Sequence, residues 1–155
     1  MFRFITSLYF LNDLLIRIIA TLFPPIAVHN IGKYFALKKA FYLTSIDGVE
    51  GDYIEFGVFT GSSMSCALQC ARTTRLGKLK ETSRFYGFDS FEGLEEEWIT
   101  DEYSPIGTFS LNKKSPKVAK NVSVIKGKIQ STLEGFLNKK KEKITFVHID
   151  VDTYT

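Results

Sequence analysis

Cysteine is scarce in this chain, with two in 155 residues, Cys66 and Cys70. They stand four apart in a helical pattern, where a disulfide between consecutive turns closes almost no loop and meets poor geometry. A disulfide scaffold is therefore excluded; free thiols in a reducing compartment, and with them a cytoplasmic location, are expected. Histidine is equally rare, and neither His29 nor His148 stands at ligand spacing from the cysteines, so no zinc site is read. With 4 Pro, 11 Gly, 45% hydrophobic residues and no repeat, disordered and collagen-like chains are excluded. The net charge of +3 is too near balance to argue for nucleic acid as a partner.

A long uninterrupted apolar run is also missing. Residues 4–23 come nearest, but Asn12, Asp13 and Arg17 break the run. Each of the two charges costs roughly 2.5–3.5 kcal/mol at a bilayer centre, so spanning is not expected. Arg3, Thr6, Ser7, Asp13, Arg17 and Thr21 gather on one side of a helical wheel, and Phe4, Ile5, Leu8, Leu11, Leu15, Ile18, Ile19 and Leu22 share the other. This is an amphipathic helix ended by Pro24-Pro25. Three uses stay open for it: a packing or dimerisation helix, a helix lying in a membrane interface, or a signal sequence, although no small-residue cleavage site follows.

The near-neutral total hides a separation of sign. Residues 86–110 carry seven acids and no Lys or Arg, whereas residues 111–143 carry ten Lys against Glu134 and Glu142. Solvated faces account for this pattern; a docking surface for an anionic partner is the alternative.

What is present is an alternation of strands and helices. Lys33–Ser45 has helical spacing, and Asp47-Gly48 and Glu50-Gly51-Asp52 punctuate the chain after it. Strands are expected at 53–56, 85–89, 122–125 and 144–150, with helices at 62–75 and 129–138 between them. Helical crossovers imply a parallel sheet, hence a doubly wound α/β fold with N-terminal helices. We place the helical segment at residues 1–46 and the sheet domain at 47–155.

Ligands of such sheets bind beyond the carboxyl ends of the strands. There the sequence reads Glu55-Phe56-Gly57-Val58-Phe59-Thr60-Gly61-Ser62-Ser63, then Asp89, then Asp150-Val151-Asp152. Two glycines four apart allow a sharp turn, and Ser62 or Ser63 suits a helix cap. The G-x-G-x-x-G fingerprint is lacking, as is the Lys of a phosphate-binding P-loop. An acid at Glu55 disfavours a pyrophosphate, while Asp89 suits ribose hydroxyls; together they favour a nucleoside that carries positive charge. Alternation along the last strand turns His148, Asp150 and Asp152 to one side. Two neighbouring carboxylates call for a cation or a proton between them, and oxygen ligands suit Mg²⁺. The competing reading has one carboxylate capping a turn and the other solvated. His148 reads as a hydrogen-bonded core residue rather than a ligand.

The blocks Glu55–Ser63, Gly87–Leu94 and His148–Tyr154 together resemble the signature blocks of the macrocin O-methyltransferase (TylF-type) family. The resemblance spans residues 51–154. It implies a Rossmann-like, S-adenosylmethionine-dependent enzyme that methylates a hydroxyl of a sugar or related small molecule with help from Mg²⁺. It further implies that Glu55, Gly57, Thr60, Gly61 and Ser62 hold the methionine part of the cofactor. Asp89 and Ser90 would line the ribose and adenosine, and Gly127 the adenine, although Lys126-Gly127-Lys128 brings no acid there. Asp150 would accept the substrate proton and, with Asp152, bind the metal. The family's sheet has more strands than the four read here, so the resemblance predicts an incomplete domain, inactive alone. Two further classes stay open: a nucleotide-sugar or NAD-binding enzyme on the same sheet, and a noncatalytic nucleoside-binding module.

Overall fold

The computed structural model describes residues 2–22, 24–73, 83–99 and 103–151. The chain forms two compact units that divide between Ala36 and Leu37. The division falls inside the second helix, and not after residue 46 where the sequence pattern breaks. Leu37 and Phe41 explain this, because both are buried with the residues that follow them.

The first unit holds helix α1 (Phe2–Leu22) and the start of α2 (Pro25–Ile46). Helix α2 begins well before the expected residue 33, because Pro25 occupies its first position, where a fixed φ and a missing N–H carry no penalty. On α1, Asp13 and Arg17 pair at 2.9 Å across one turn, and Leu11, Leu15, Ile18, Ile19 and Leu22 are exposed. No helix among the described residues is long and apolar enough to cross a membrane.

The second unit is built on a four-stranded sheet. Its strands are β1 (Asp52–Phe56), β2 (Phe85–Asp89), β5 (Val122–Lys126) and β6 (Ile144–Ile149), in the order β5-β2-β1-β6, all parallel. Helix α3 (Ser62–Thr73) links β1 to β2, and α4 (Ile129–Leu137) links β5 to β6. The chain first winds outward from β1, then returns across it to lay down β6. The topological switch point therefore lies between β1 and β6. A short antiparallel pair, β3 (Trp98–Ile99) and β4 (Tyr103–Ser104), occupies part of the segment read only as an acidic loop.

Strand alternation sorts the core into two layers. Tyr53, Phe85 and Phe146 share one face, where Phe41 of α2 packs on them with ring centroids 5.7, 6.4 and 5.3 Å away. Met64, Ala67, Leu68 and Ala71 are the buried apolar side of α3. Gly87 lets α3 close on the sheet, since a Cβ there would lie 2.6 Å from Val58 Cγ2 and 2.9 Å from Met64 Cε. On the opposite face, Phe136 of α4 stands edge-on to Tyr86 and Phe88 at 4.8 and 5.1 Å. Burying side chains such as Phe41 and Phe88 contributes about 1.5–3 kcal/mol each.

One lysine of the basic stretch departs from the expectation of a solvated face. The Lys140 side chain is 3% exposed and is ion-paired with Asp52, itself 4% exposed, at the amino end of β1. The other Asp52 oxygen accepts the Arg84 N–H at 2.7 Å, and the Lys140 ammonium stands 5.0 Å from the centre of the Tyr86 ring. Burial of this charge is tolerated because it is paired and hydrogen-bonded.

Candidate active site

The carboxyl ends of β1, β2 and β6 are joined by backbone hydrogen bonds. Gly57 N–H donates to the Phe88 carbonyl at 3.0 Å, and Asp150 N–H to the Phe56 carbonyl at 2.9 Å. Gly57 has φ +84°, and a Cβ on it would overlap the Asp150 carbonyl oxygen, so conformation and space both require glycine here. The chain then turns into α3: Gly61 N–H donates to the Val58 carbonyl at 2.8 Å, and Ser65 N–H to the Gly61 carbonyl at 3.0 Å. Phe59, inside this turn, adopts φ +46°, a region that bulky residues rarely enter. Its ring meets that of Phe109 edge-on at 5.5 Å.

Asp89 holds the turn in place. Its Oδ2 accepts the N–H groups of Val58 and Phe59 at 2.8 and 2.7 Å, and its Oδ1 accepts that of Phe91 at 2.7 Å. This role was not anticipated from the sequence, which pointed to ribose hydroxyls. The two uses are compatible, because a carboxylate offers about four acceptor positions. The Asp89 carbonyl also accepts the Gly127 N–H at 3.0 Å. Backbone bonds thus bring Gly57, Asp89, Gly127 and Asp150 to one end of the sheet.

Glu55 lies elsewhere. It is 0% exposed, beneath the turn. Its Oε1 accepts the Ser63 hydroxyl at 2.7 Å, and its Oε2 accepts the Tyr53 hydroxyl at 2.5 Å and lies 3.3 Å from His148 Nδ1. Ser63 is accordingly not the helix cap that the sequence allowed. Burial and the neighbouring Glu55 carboxylate hold the Tyr53 phenol far above its ordinary value, so it stays protonated. His148 is within hydrogen-bonding distance of Tyr53 and Glu55 as a half-buried residue at the edge of the core. The link among Tyr53, Glu55, Ser63 and His148 was missed, although period-2 spacing at 53/55 and 146/148 already put three of the strand positions on one face.

Thr60 and Ser62 are exposed at the amino end of α3, and Ser90 is half-buried. Ser90 Oγ accepts the Glu92 N–H at 3.2 Å, within its own loop. Asp150 is exposed just past β6, whereas Asp152 lies outside the described residues. Among the described residues, no three His, Cys, Asp or Glu are grouped to hold a metal ion. The amino end of α3, with its amides and positive dipole, suits an anionic group such as a carboxylate, and an exposed carboxylate at the switch point suits a cation or a proton in transfer.

The model of a family described as a methyltransferase domain matches residues 54–155. No curated protein matches the chain. Among solved structures, CalS11, calicheamicin methyltransferase, is similar in fold, with a TM-score of 0.57 and 18% sequence identity. The match covers 92% of this chain and 61% of that one, so the chain spans about three-fifths of the length of that methyltransferase.

Proposed function

This chain belongs to the methyltransferase-domain family matched over residues 54–155, and from that premise we propose that it carries the cofactor-binding part of an S-adenosylmethionine-dependent O-methyltransferase. The acceptor in this proposal is a hydroxyl of a sugar or related small molecule. The observation that supports it most is the turn Gly57–Ser62, clamped by Asp89 at the β1/β6 switch point and adjoining the exposed Asp150.

The residues present fit the cofactor by their donor chemistry. The α3 amino terminus, with Thr60 and Ser62, would hold the methionine carboxylate. Asp89 keeps acceptor capacity for a ribose hydroxyl, and the backbone at Ser90 and Gly127 would border the nucleoside. S-adenosylmethionine, when bound, supplies an electrophilic methyl group on a sulfonium. Asp150 would accept the proton of the acceptor hydroxyl as that oxygen becomes a nucleophile. Glu55, Gly57 and Gly61 serve by shaping the turn: Glu55 anchors Ser63, and the two glycines permit the backbone path.

A divalent metal stands on the sequence alone. Asp150 is the one described member of the Asp150/Asp152 pair, and a single carboxylate does not make a magnesium site.

Calorimetric titration of the full-length protein with S-adenosylhomocysteine and with NAD tests the proposal. Binding of the former without the latter is expected. Binding of NAD alone would replace this reading with that of a dinucleotide enzyme.

A further inference from the structure

Four polar side chains meet under the glycine turn, and they come from three elements: Tyr53 and Glu55 from β1, Ser63 from α3 and His148 from β6. We propose that His148 is a positioning residue which, through Glu55, fixes the first turn of α3 relative to the strand that leads into Asp150.

A proton inventory supports the direction of these bonds. Tyr53 has one hydroxyl proton, given to Glu55 Oε2 at 2.5 Å. Ser63 gives its own to Oε1 at 2.7 Å. His148 Nδ1 stands 3.1 Å from the Tyr53 oxygen and 3.3 Å from Oε2, and both of these atoms are left as acceptors. Nδ1 must therefore carry a hydrogen and donate. Glu55 then has a donor on each side, the arrangement that a fully buried carboxylate requires. None of the four side chains is left unpartnered: among the described residues Ser45 Oγ is the buried side-chain atom without a hydrogen bond.

The turn is consequently held at two places. Asp89 ties Val58 and Phe59 to β2, and the Glu55 group links α3 to β6. Ser63 adjoins Ser62 and buried Gly61, so its bond to Glu55 sets where the amino end of α3 lies. His148, in β6, lies two residues before Asp150, which follows the end of that strand. The distance between the anion-binding helix end and the proton-accepting carboxylate is thereby fixed by side chains that touch neither ligand. The structural part of this inference stands alone; its consequence for affinity rests on the methyltransferase reading.

Hydrogen exchange read by mass spectrometry, together with S-adenosylhomocysteine titration, tests it on the full-length protein. His148→Phe keeps a ring but removes the donor, whereas the amide nitrogen of His148→Asn can stand in for Nδ1. In His148→Phe, exchange across residues 57–65 should rise about tenfold, the scale of one lost hydrogen bond to a carboxylate. Exchange in α4 should be unchanged, and S-adenosylhomocysteine should bind about tenfold more weakly. His148→Asn should restore both towards the parent values. Ser63→Ala breaks the same link from its other end without entering the sheet and should reproduce the local exchange, which keeps the test open if His148→Phe does not fold. Unchanged exchange at 57–65 in folded Ser63→Ala or His148→Phe, equal acceleration in α4, or no rescue by Asn would overturn the proposal. If the parent protein does not bind S-adenosylhomocysteine, the methyltransferase reading fails while the exchange comparison still decides the positioning role.

Discussion

Replacing Asp89 with Asn separates the turn-holding role of this residue from ligand binding. The carboxylate accepts three backbone N–H groups, two on Oδ2 from Val58 and Phe59 and one on Oδ1 from Phe91. Asn keeps one acceptor oxygen and puts an NH₂ donor where the other stood. Its favoured orientation gives the oxygen to Val58 and Phe59, leaving Phe91 N–H facing a donor. A hydrogen bond to a charged group contributes about 1.5–3 kcal/mol. Losing one bond and weakening two, with water reaching the exposed Phe59 amide, gives about 2–3 kcal/mol of destabilisation. Against a total of about 5–15 kcal/mol for a domain this is readily measured. Denaturant unfolding followed by circular dichroism should show a lower midpoint with an unchanged slope, and hydrogen exchange should locate the loosening at residues 57–61 and 91. A change below about 0.5 kcal/mol, the usual range for exposed surface substitutions, would refute the clamp and leave Asp89 to a ligand role alone.

Gly57→Ala should destabilise by about 2–5 kcal/mol. It combines a left-handed φ of +84° with overlap on the Asp150 carbonyl, and equilibrium unfolding measures the sum; an effect under 1 kcal/mol contradicts the close approach. Lys140→Met should cost about 3–5 kcal/mol by leaving Asp52 buried and unpaired, and Asp52→Asn in the same chain should recover part of that; equal losses for the single and double variants would dismiss the pair. Tyr53 predicts an alkaline limit. Its folded-state pKa lies above the ordinary value of 10.0, so above about pH 10 the unfolded chain releases a proton that the folded chain retains, and stability falls as pH rises. Phenolate absorbance should show this tyrosine titrating only as the chain unfolds, and titration of the folded protein with an ordinary pKa would reject the burial argument. Chelation with EDTA followed by Mg²⁺ should abolish and restore methyl transfer if Asp150 and Asp152 bind a metal; unchanged turnover discards that expectation.

The sheet was legible because β1, β2, β5 and β6 are short apolar runs, with helical spacing between β1 and β2 and between β5 and β6, and glycine or acid stands at the ends of β1 and β2. The β3/β4 pair was not legible. Two residues per strand, Trp98–Ile99 and Tyr103–Ser104, offer no periodicity to read, and seven acids in that region signal a solvated loop. Lys140 was hidden for a related reason. Nothing in a run of three lysines distinguishes the one whose ammonium lies over Tyr86 and meets Asp52. That selection is made only when α4 returns the chain to the amino end of β6.

Glu55 shows how a residue at a strand's carboxyl end can be buried beneath the turn that follows it. An acid two residues before the first glycine, at the carboxyl end of a strand, invites placement against a ligand. Alternation decides otherwise: Glu55 shares its face with Tyr53 and stands in register with Gly87 on one side and His148 on the other. That face lies under α3, where Gly87 lets Val58 and Met64 close over the sheet. The carboxylate is therefore buried beneath the turn, where its bond to Ser63 ties it to the amino end of α3. Asp89 escapes this fate by being the last residue of its strand, where backbone amides and a ligand can share its oxygens. The chemical division between these two acids follows from their distance to the end of the sheet, a quantity set by strand register rather than by residue type.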